Sequence, residues 1–244
     1  HTAIRRQRQM CIRDSPILAC DHALNLKQVV KGTLRNHGMK ATFMAKPFAS
    51  LPGSGMHLHL SLYDNQVRNL LAPKNSKKLN QAVSGILDLM PESMIFCAPH
   101  ANSYHRFEEN SYAPINATWG KDNRTTALRI PSGNEDSTRI EHRLSGADAN
   151  PYLVMAMLIS GFLHGFEEDP EIPPETIGNG YEDGSRPLPQ SWEAALDLFQ
   201  NKSRLSSILG QEFSTLYTQL KSGEQKRFRR VITPHEYDWY LHTV

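Results

Sequence analysis

Three segments of the chain alternate apolar and polar residues, which is typical of β-strands with one buried face. They are residues 53–64, 125–130 and 137–144. In the first segment, Leu58 and Leu60 face one way, whereas His57, His59 and Ser61 face the other. A further short strand is predicted over residues 40–46. The pattern therefore predicts a sheet of short strands with one apolar face.

Most of the remaining chain carries apolar residues at helical spacing. Helices are predicted over residues 21–37, 79–89, 150–166 and, in several pieces, from residue 191 to the C-terminus. Asn150-Pro151, Ser191 and a capping box from Thr233 to Glu236 favour helix starts, and Pro91 is expected to interrupt the second helix. Residues 168–190, rich in Pro, Gly and acidic residues, predict an irregular surface loop. Strands with intervening helices favour an α/β or α+β fold, with helices packed behind the sheet.

The bulk composition is that of an ordinary globular domain. Of the 244 residues, 39% are hydrophobic, and no apolar run reaches the roughly 18 residues that a membrane span requires. We expect no signal peptide, because no apolar stretch follows the N-terminal basic residues. Three cysteines, an odd number, fit a reducing cytoplasm better than a disulfide framework. The net charge of +2 argues against a nucleic acid or a membrane as a partner.

The N-terminal residues do not follow these patterns. The segment RRQRQMCIRDS has neither an amphipathic period nor a turn motif, and it resembles translated sequencing-adapter read-through. We therefore interpret residues 1–15 as a non-native tail and residues 16–244 as a fragment of a longer gene product. The alternative is a genuine basic tail, since four arginines are opposed by a single aspartate.

Charged and polar residues occupy the non-apolar faces of the three alternating segments. They are His57, His59 and Ser61 on the first, Arg129 on the second, and Arg139, Glu141 and Arg143 on the third, with Arg106 and Arg124 in nearby loops. Arginines that share a sheet face repel one another unless an anion lies between them. Their planar donor groups suit phosphate and carboxylate. These residues therefore predict a site for an anion.

His57 and Glu141 offer an imidazole and a carboxylate, which could jointly hold a divalent cation. A metal ion with several arginines provides the charge neutralisation that phosphoryl transfer needs. The alternative is a solvated strand face with cross-strand ion pairs. An H-x-H pair alone is weak evidence of a metal site, and the chain has neither a Walker loop nor a G-x-G-x-x-G motif. The residues by themselves thus support a phosphate-handling metalloenzyme only as a hypothesis.

Five motifs add a resemblance to this interpretation. They are Lys46-Pro47 with Gly53-Ser54-Gly55-Met56-His57-Leu58-His59-Leu60-Ser61, Asn102-Ser103-Tyr104-His105-Arg106, Asn123-Arg124 with Arg129-Ile130-Pro131, Arg139-Ile140-Glu141-His142-Arg143, and Ala149-Asn150-Pro151-Tyr152-Leu153. In the same order they resemble the motifs of the glutamine synthetase family. The resemblance extends from about residue 16 to the C-terminus.

The resemblance implies an α+β catalytic domain in which a curved antiparallel sheet, a partial β/α half-barrel, is backed by helices. It also implies an ATP-dependent ligase that uses Mg²⁺ or Mn²⁺. In such a reaction the side-chain carboxylate of glutamate attacks the γ-phosphate of ATP and forms an acyl phosphate. An amine then attacks the activated carbonyl and releases phosphate, which leaves a γ-glutamyl amide.

The resemblance also implies a role for each matching residue. The metal ligands would be His57 and Glu141. The ATP contacts would be His59, Ser61, Arg124, Arg129 and Arg139. The glutamate contacts would be Gly53, Arg106 and Arg143. Arg124 and Arg143 would act on the transferred phosphoryl group and are therefore the expected catalytic residues.

Two positions depart from the pattern of glutamine synthetase proper. Tyr112, two residues before Pro114, stands where the family has a glutamate at its ammonium site. Pro52 stands where an asparagine precedes Gly-Ser-Gly. A phenol neither attracts ammonium nor takes its proton, so the chain looks closer to the γ-glutamylputrescine synthetase branch. We therefore expect putrescine or another polyamine as the acceptor, with an ammonia-using glutamine synthetase as the alternative.

The family's N-terminal β-grasp-like domain and its other metal-binding glutamates have no counterpart in this sequence. The resemblance implies homo-oligomers of stacked rings in which a neighbouring subunit completes each active site. We therefore expect this chain to be inactive by itself. A non-catalytic relative that binds glutamate or a polyamine is a further alternative, and a nucleic-acid-binding role is disfavoured by the small net charge.

Overall fold

A computed structural model of the chain describes residues 15–201 and 204–244. Residues 1–14, and with them nearly all of the predicted tail, lie outside the described residues. Helix α1 spans Pro16–Asn36 and begins before the predicted start at residue 21. The side chain of Ser15 accepts a hydrogen bond from the backbone N–H of Leu18, and Pro16 occupies the first turn. A serine cap followed by proline favours a helix start at this point.

Seven further α-helices follow in the described part of the chain. They are α2 (Ser76–Cys97), α3 (Ala101–Tyr104), α4 (Pro151–Glu168), α5 (Trp192–Gln200), α6 (Arg204–Leu209), α7 (Gln211–Phe228) and α8 (Pro234–Tyr240). Asn150 and Ser191 cap α4 and α5 through their side chains, and a capping box starts α8, as predicted. Residues 169–191 form the predicted irregular loop between α4 and α5.

The described residues contain one four-stranded sheet, with the strand order β1-β4-β3-β2. The strands are β1 (Leu58–Leu60), β2 (Trp119–Lys121), β3 (Leu128–Ile130) and β4 (Ile140–His142). The β1–β4 and β3–β4 pairs are antiparallel, whereas β2 and β3 run parallel. The α+β class is therefore confirmed, but the sheet is mixed where antiparallel pairing was expected. Strand β2 was not predicted, because it does not lie in a longer segment that alternates apolar and polar residues.

The predicted strand over residues 40–46 is wrong, since this segment pairs with no strand. Its backbone groups bind elsewhere: Lys46 N donates to the side chain of Asn102, which donates in return to Lys46 O. The carbonyl of Ala45 accepts from Ser54 N. These partners satisfy the backbone without a strand ladder.

Pro91 does not interrupt the helix in which it lies, contrary to the prediction. Helix α2 continues through Pro91 to Cys97 as a single element of 22 residues. The residues on both sides of the proline, including Leu89, Met90, Met94 and Ile95, are fully buried. Their packing stabilises the helix enough to offset the hydrogen bond that proline cannot donate.

The core lies where α2 crosses α4, and three glycines allow the two backbones to touch. A Cβ atom on Gly85 would lie 2.2 Å from the carbonyl oxygen of Gly161. A Cβ atom on Gly165 would lie 1.9 Å from the carbonyl oxygen of Gln81. Both distances are shorter than any real contact, so this crossing requires glycine. No helix in the described parts of the chain is both long and apolar enough to cross a membrane.

Candidate active site

Three side chains converge on Glu141 of β4: Arg129 in β3, His57 just before β1 and Arg143 just after β4. Nδ1 of His57 lies 3.1 Å from Oε1 of Glu141, and Nη1 of Arg143 donates to the same oxygen at 2.7 Å. Nη1 of Arg129 donates to Oε2 at 2.6 Å. The sheet register places Arg129 of β3 directly opposite Glu141, and His59 of β1 lies opposite it on the other side. Residues directly opposite on neighbouring strands share a face.

The surrounding cations keep the carboxyl group of Glu141 ionised. Burial by itself would raise the pKa of this group. Hydrogen bonds from His57 and Arg129, together with the charge of Arg143, outweigh burial and hold the pKa of Glu141 well below its ordinary value. The site therefore presents a permanently charged, nearly buried carboxylate.

Positive charge exceeds negative charge at this face of the sheet. Arg129 also contacts Asp122, whose carboxylate lies 3.3 Å from Nη2. The Nε atoms of Arg129 and Arg143 are buried and have no hydrogen-bond partner among the described residues. A buried donor without an acceptor is costly. Oxygen atoms of a bound phosphate or carboxylate are suited to meet this need.

His59 and Arg139 form a second pair beside this cluster. Nε of Arg139 donates to Nδ1 of His59 at 3.2 Å, and Nη1 of Arg139 donates to the carbonyl of Ser137 at 3.1 Å. Burial lowers the pKa of His59, and the charge of Arg139 acts in the same direction. Because Nδ1 accepts, the neutral ring carries its proton on Nε2 and can donate from that atom. Ser61 lies just beyond β1 and is exposed.

Arg106 lies beneath the glycine-rich segment and is only 5% exposed. Nη1 donates to the carbonyl of Leu144 at 2.8 Å, and Nη2 donates to the carbonyl of Arg143 at 3.1 Å. Burial lowers the pKa of Arg106 to about 10, so the group remains charged at neutral pH. A Cβ atom on Gly53 would lie 2.5 Å from Cγ of Arg106, which explains why glycine is needed there.

The remaining residues of the second motif hold Arg106 in place, which sequence reasoning did not anticipate. Asn102 joins α3 to Lys46 through two hydrogen bonds, as described above. Oγ of Ser103 donates to Oδ2 of Asp148 at 2.6 Å. The charge of Asp148 in turn favours the guanidinium of Arg106. The sequence feature that could have indicated this role is the position of Asp148, directly before the Ala149-Asn150-Pro151 motif.

Two predicted site residues stand apart from the cluster. The Arg124 side chain is exposed and forms no hydrogen bond or ion pair with any residue that the structure describes. It borders a shallow depression of about 430 Å³ that is also lined by Asn123, Glu175 and Thr176. Tyr112 is 64% exposed and has a positive φ of 58°. The structure therefore brings His57, Arg129, Glu141 and Arg143 into contact, whereas neither Arg124 nor Tyr112 forms a hydrogen bond or ion pair with these four residues.

The chain matches the glutamine synthetase catalytic domain over residues 7–240. It is 43% identical over 231 residues to γ-glutamylputrescine synthetase PuuA of Escherichia coli K12, covering 93% of this chain and 49% of that protein. It is 36% identical over 230 residues to γ-glutamylethanolamide synthetase GlnA4 of Streptomyces coelicolor, and the match covers 93% of this chain and 48% of that protein. It is 34% identical over 239 residues to a glutamate–isopropylamine ligase of a Pseudomonas species, and the match covers 95% of this chain and 52% of that protein. The chain thus spans about half the length of the curated relatives it matches.

Solved structures agree with the sequence matches. The structure of GmaS without ligand superposes with a TM-score of 0.83 at 28% identity, over 93% of this chain and 54% of that one. The family match runs through nearly the whole described chain. It includes His57, Arg129, Glu141 and Arg143, which meet at one face of the sheet. This chain therefore belongs to the glutamine synthetase family, whose catalytic-domain model it matches over residues 7–240.

Proposed function

We propose that this chain is the C-terminal part of an ATP-dependent ligase that joins the side-chain carboxylate of glutamate to an amine. The observation that carries the proposal is the convergence of His57, Arg129 and Arg143 on the two carboxylate oxygens of Glu141. Arg129 and Arg143 each have a buried Nε–H group without a hydrogen-bond partner among the described residues, and this group can donate to an anion. Membership of the glutamine synthetase family gives this cluster its reaction class.

A divalent metal ion fits the pair formed by His57 and Glu141. An imidazole nitrogen and a carboxylate oxygen lie 3.1 Å apart. The carboxylate is the kind of ligand that Mg²⁺ and Mn²⁺ prefer, and the imidazole is a second donor for a divalent ion. Among residues 15–201 and 204–244, no group of three or more His, Cys, Asp or Glu side chains is arranged to hold a metal ion. We therefore propose that this chain supplies two ligands and that the rest come from outside it. When bound, the metal would neutralise charge on the ATP phosphates.

In this proposal, some residues of the site bind ATP and the others bind glutamate. His59, Ser61, Arg129 and Arg139 bind the nucleotide and its phosphates, and Arg124 neutralises the transferred phosphoryl group. Gly53, Arg106 and Arg143 bind glutamate. The glutamate side-chain carboxylate displaces ADP from the γ-phosphate, which converts a poor leaving group into phosphate. The amine then attacks the acyl carbon, loses a proton and releases phosphate. Fixed guanidinium groups stabilise the charge that develops in both steps.

An organic amine is the proposed acceptor. Tyr112 presents a phenol where the glutamine synthetase pattern has a carboxylate, and its side chain is largely exposed. Three relatives are named for organic amines, namely putrescine, ethanolamine and isopropylamine. Putrescine or another polyamine is our first choice. The second candidate is ammonia, since a glutamine synthetase of Methanocaldococcus jannaschii is 30% identical over 241 residues.

The complete protein would contain more than this chain. We propose an additional N-terminal domain, a cytoplasmic location and a homo-oligomer of stacked rings, and we therefore expect the chain to be inactive alone. The coverage of about half of each curated relative supports this division. A non-catalytic relative that binds glutamate or a polyamine is less well supported, because His57, Glu141 and the arginines remain in contact.

The test is an assay of the full-length protein with ATP, Mg²⁺, glutamate and one of four acceptors: putrescine, ethanolamine, isopropylamine or ammonia. We expect glutamate-dependent ADP release and a γ-glutamyl amide by mass spectrometry, with kcat/KM highest for an organic amine. Arg143→Gln should lower kcat by about a hundredfold or more, since it removes a charge at the reacting group.

The matched control is Arg186→Gln, which removes a loop arginine 3.7 Å from Asp88 and outside the cluster. It should leave kcat within about twofold, as expected for a weak surface ion pair. Absence of glutamate-dependent ADP release with every acceptor would refute the ligase. A strong preference for ammonia would refute the organic amine alone.

A further inference from the structure

The loop between α4 and α5 contains a segment, residues 173–181, that lies against the sheet edge; we call it the strap. The carbonyl of Pro173 accepts from Nε1 of Trp119 at 2.8 Å, and Thr176 N donates to the carbonyl of Trp119 at 2.9 Å. Oε1 of Glu175 accepts from Lys121 N at 2.9 Å. These bonds run along β2, so the strap continues the edge of the sheet without being a strand.

Asn123 anchors the strap to the loop that carries Arg124. Nδ2 of Asn123 donates to the carbonyls of Thr176 at 3.1 Å and Gly178 at 2.8 Å. Oδ1 of the same amide accepts from both the N–H and the hydroxyl of Thr125. The Thr125 hydroxyl also accepts from Gly180 N at 2.8 Å. The backbone on both sides of Arg124 is therefore tied to the strap.

Tyr181 anchors the other end of the strap to the loop that carries Tyr112. Its hydroxyl donates to the carbonyl of Ala113 at 3.2 Å and lies beside the side chain of Ser111. Burial raises the pKa of Tyr181, so the hydroxyl keeps its proton at neutral pH. The Ser111 hydroxyl accepts from Ala113 N and donates to the carbonyl of Arg106. This end of the strap thus reaches the segment between Arg106 and Tyr112.

The two anchored loops carry side chains that depend on their backbones for position. The Arg124 side chain has no partner among the described residues, and Tyr112 is largely exposed. A long side chain without partners of its own can act at a fixed point only if its backbone is held there. The strap binds the side chains of Asn123 and Thr125, on both sides of Arg124, and the carbonyl of Ala113, next to Tyr112.

We propose that the strap couples the phosphoryl end of the site to the amine end, with Asn123 and Tyr181 as its positioning residues. The kinetic part of this proposal rests on the proposed function. Asn123 holds Arg124 where the γ-phosphate reacts, whereas Tyr181 holds Tyr112 where the amine enters. Neither Asn123 nor Tyr181 touches a reactant.

The kinetic test compares three variants of the full-length protein. Asn123→Asp removes both donors to the strap but keeps the acceptor for Thr125, and it should lower kcat about tenfold with an unchanged KM for the amine. Tyr181→Phe removes one hydrogen bond and should raise the KM for the amine about threefold to tenfold with kcat nearly unchanged. Thr176→Val is the matched control, because the Thr176 hydroxyl binds only Asp183 within the same loop. Effects of Asn123→Asp and Tyr181→Phe no larger than those of Thr176→Val would overturn the positioning roles.

Hydrogen–deuterium exchange tests the coupling without any activity. Asn123→Asp should increase exchange at residues 176–180 and also at residues 111–113, at the far end of the strap. Tyr181→Phe should produce the reciprocal effect at residues 123–126. Increases confined to the substituted end would overturn the coupling. Since exchange needs no substrate, a protein inactive with every amine would refute the proposed function and leave this test decisive for the strap.

Discussion

Oε1 of Glu141 accepts from Arg143 at 2.7 Å and lies 3.1 Å from Nδ1 of His57, so one oxygen serves two positively polarised groups. Arg129 occupies the other oxygen at 2.6 Å. The carboxylate is nearly buried, and breaking a buried ion pair from one side leaves the remaining charges unpaired. Glu141 therefore stabilises the apo chain as well as providing a metal ligand in the proposed reaction.

Glu141→Gln should lower the free energy of unfolding by about 3 kcal/mol, because two arginines would then face a neutral amide. Urea denaturation with EDTA present measures this effect without metal. Glu135→Gln is the control, since Glu135 and Lys74 form an exposed pair 3.5 Å apart. Its effect should stay below about 1 kcal/mol. Equal effects of the two substitutions would contradict a structural role for Glu141.

Gly165→Ala should destabilise the protein by about 3 kcal/mol, because its Cβ atom would overlap the carbonyl of Gln81 and force α2 away from α4. Gly223→Ala makes the same chemical change in α7, where no atom lies within 4 Å of the new Cβ. The free energy of unfolding of that variant should rise by about 0.5–1 kcal/mol, because alanine has a higher helix propensity than glycine. Thermal unfolding compares the pair, and the same sign for both would argue against close backbone packing at the α2–α4 crossing.

Acid should destabilise the chain through His142. Burial, aided by the charges of His57 and Arg106, lowers the pKa of His142 from 6.5 to about 3. Between these values the unfolded chain binds a proton at this imidazole and the folded chain does not. The contribution of His142 to stability is therefore fully present above pH 6.5 and falls by at most about 1.4 kcal/mol per pH unit below it. His142→Gln should flatten this part of the pH–stability curve, whereas His235→Gln, in an exposed helix, should not.

Both described cysteines should resist thiol reagents in the folded protein. Cys20 and Cys97 are buried free thiols, and burial raises the pKa of Cys97 to about 11. A thiol with a raised pKa forms little of the reactive thiolate. In a Cys11→Ser background, labelling followed by peptide mass spectrometry should find both thiols unmodified natively and fully modified in urea. Rapid native labelling of Cys97 would show that its environment is open.

Tyr112→Glu should shift the preference of the full-length enzyme toward ammonia. A carboxylate at this exposed position would attract ammonium and take its proton, which a phenol cannot do at neutral pH. The ratio of kcat/KM values for ammonia and putrescine should rise about tenfold or more. Tyr112→Phe, which adds no charge, should leave the ratio close to its original value. An unchanged ratio in Tyr112→Glu would remove Tyr112 from the amine site.

The alternation of apolar and polar residues was enough to predict the central residues of β1, β3 and β4 and the strand faces that carry charged residues. Side-chain capping by Asn150, Ser191 and Thr233 was equally local, and those helix starts were correct. The same kind of evidence failed at residues 40–46, because the side chain of Asn102, distant in sequence, takes the backbone bonds that a strand would need. It failed at Pro91 because long-range packing outweighed a local helix breaker.

The sequence by itself determined which residue types this protein brings to its site: arginines, an imidazole and a carboxylate at alternating positions, in the order of the family's motifs. Only the tertiary structure decided which of them meet. Strand register sets Arg129 and His59 opposite Glu141, and register depends on contacts across the whole sheet. The same holds for Asp148 and the strap, whose partners lie far away along the chain. Local patterns carry no information about such pairings, because they arise only when the chain is packed.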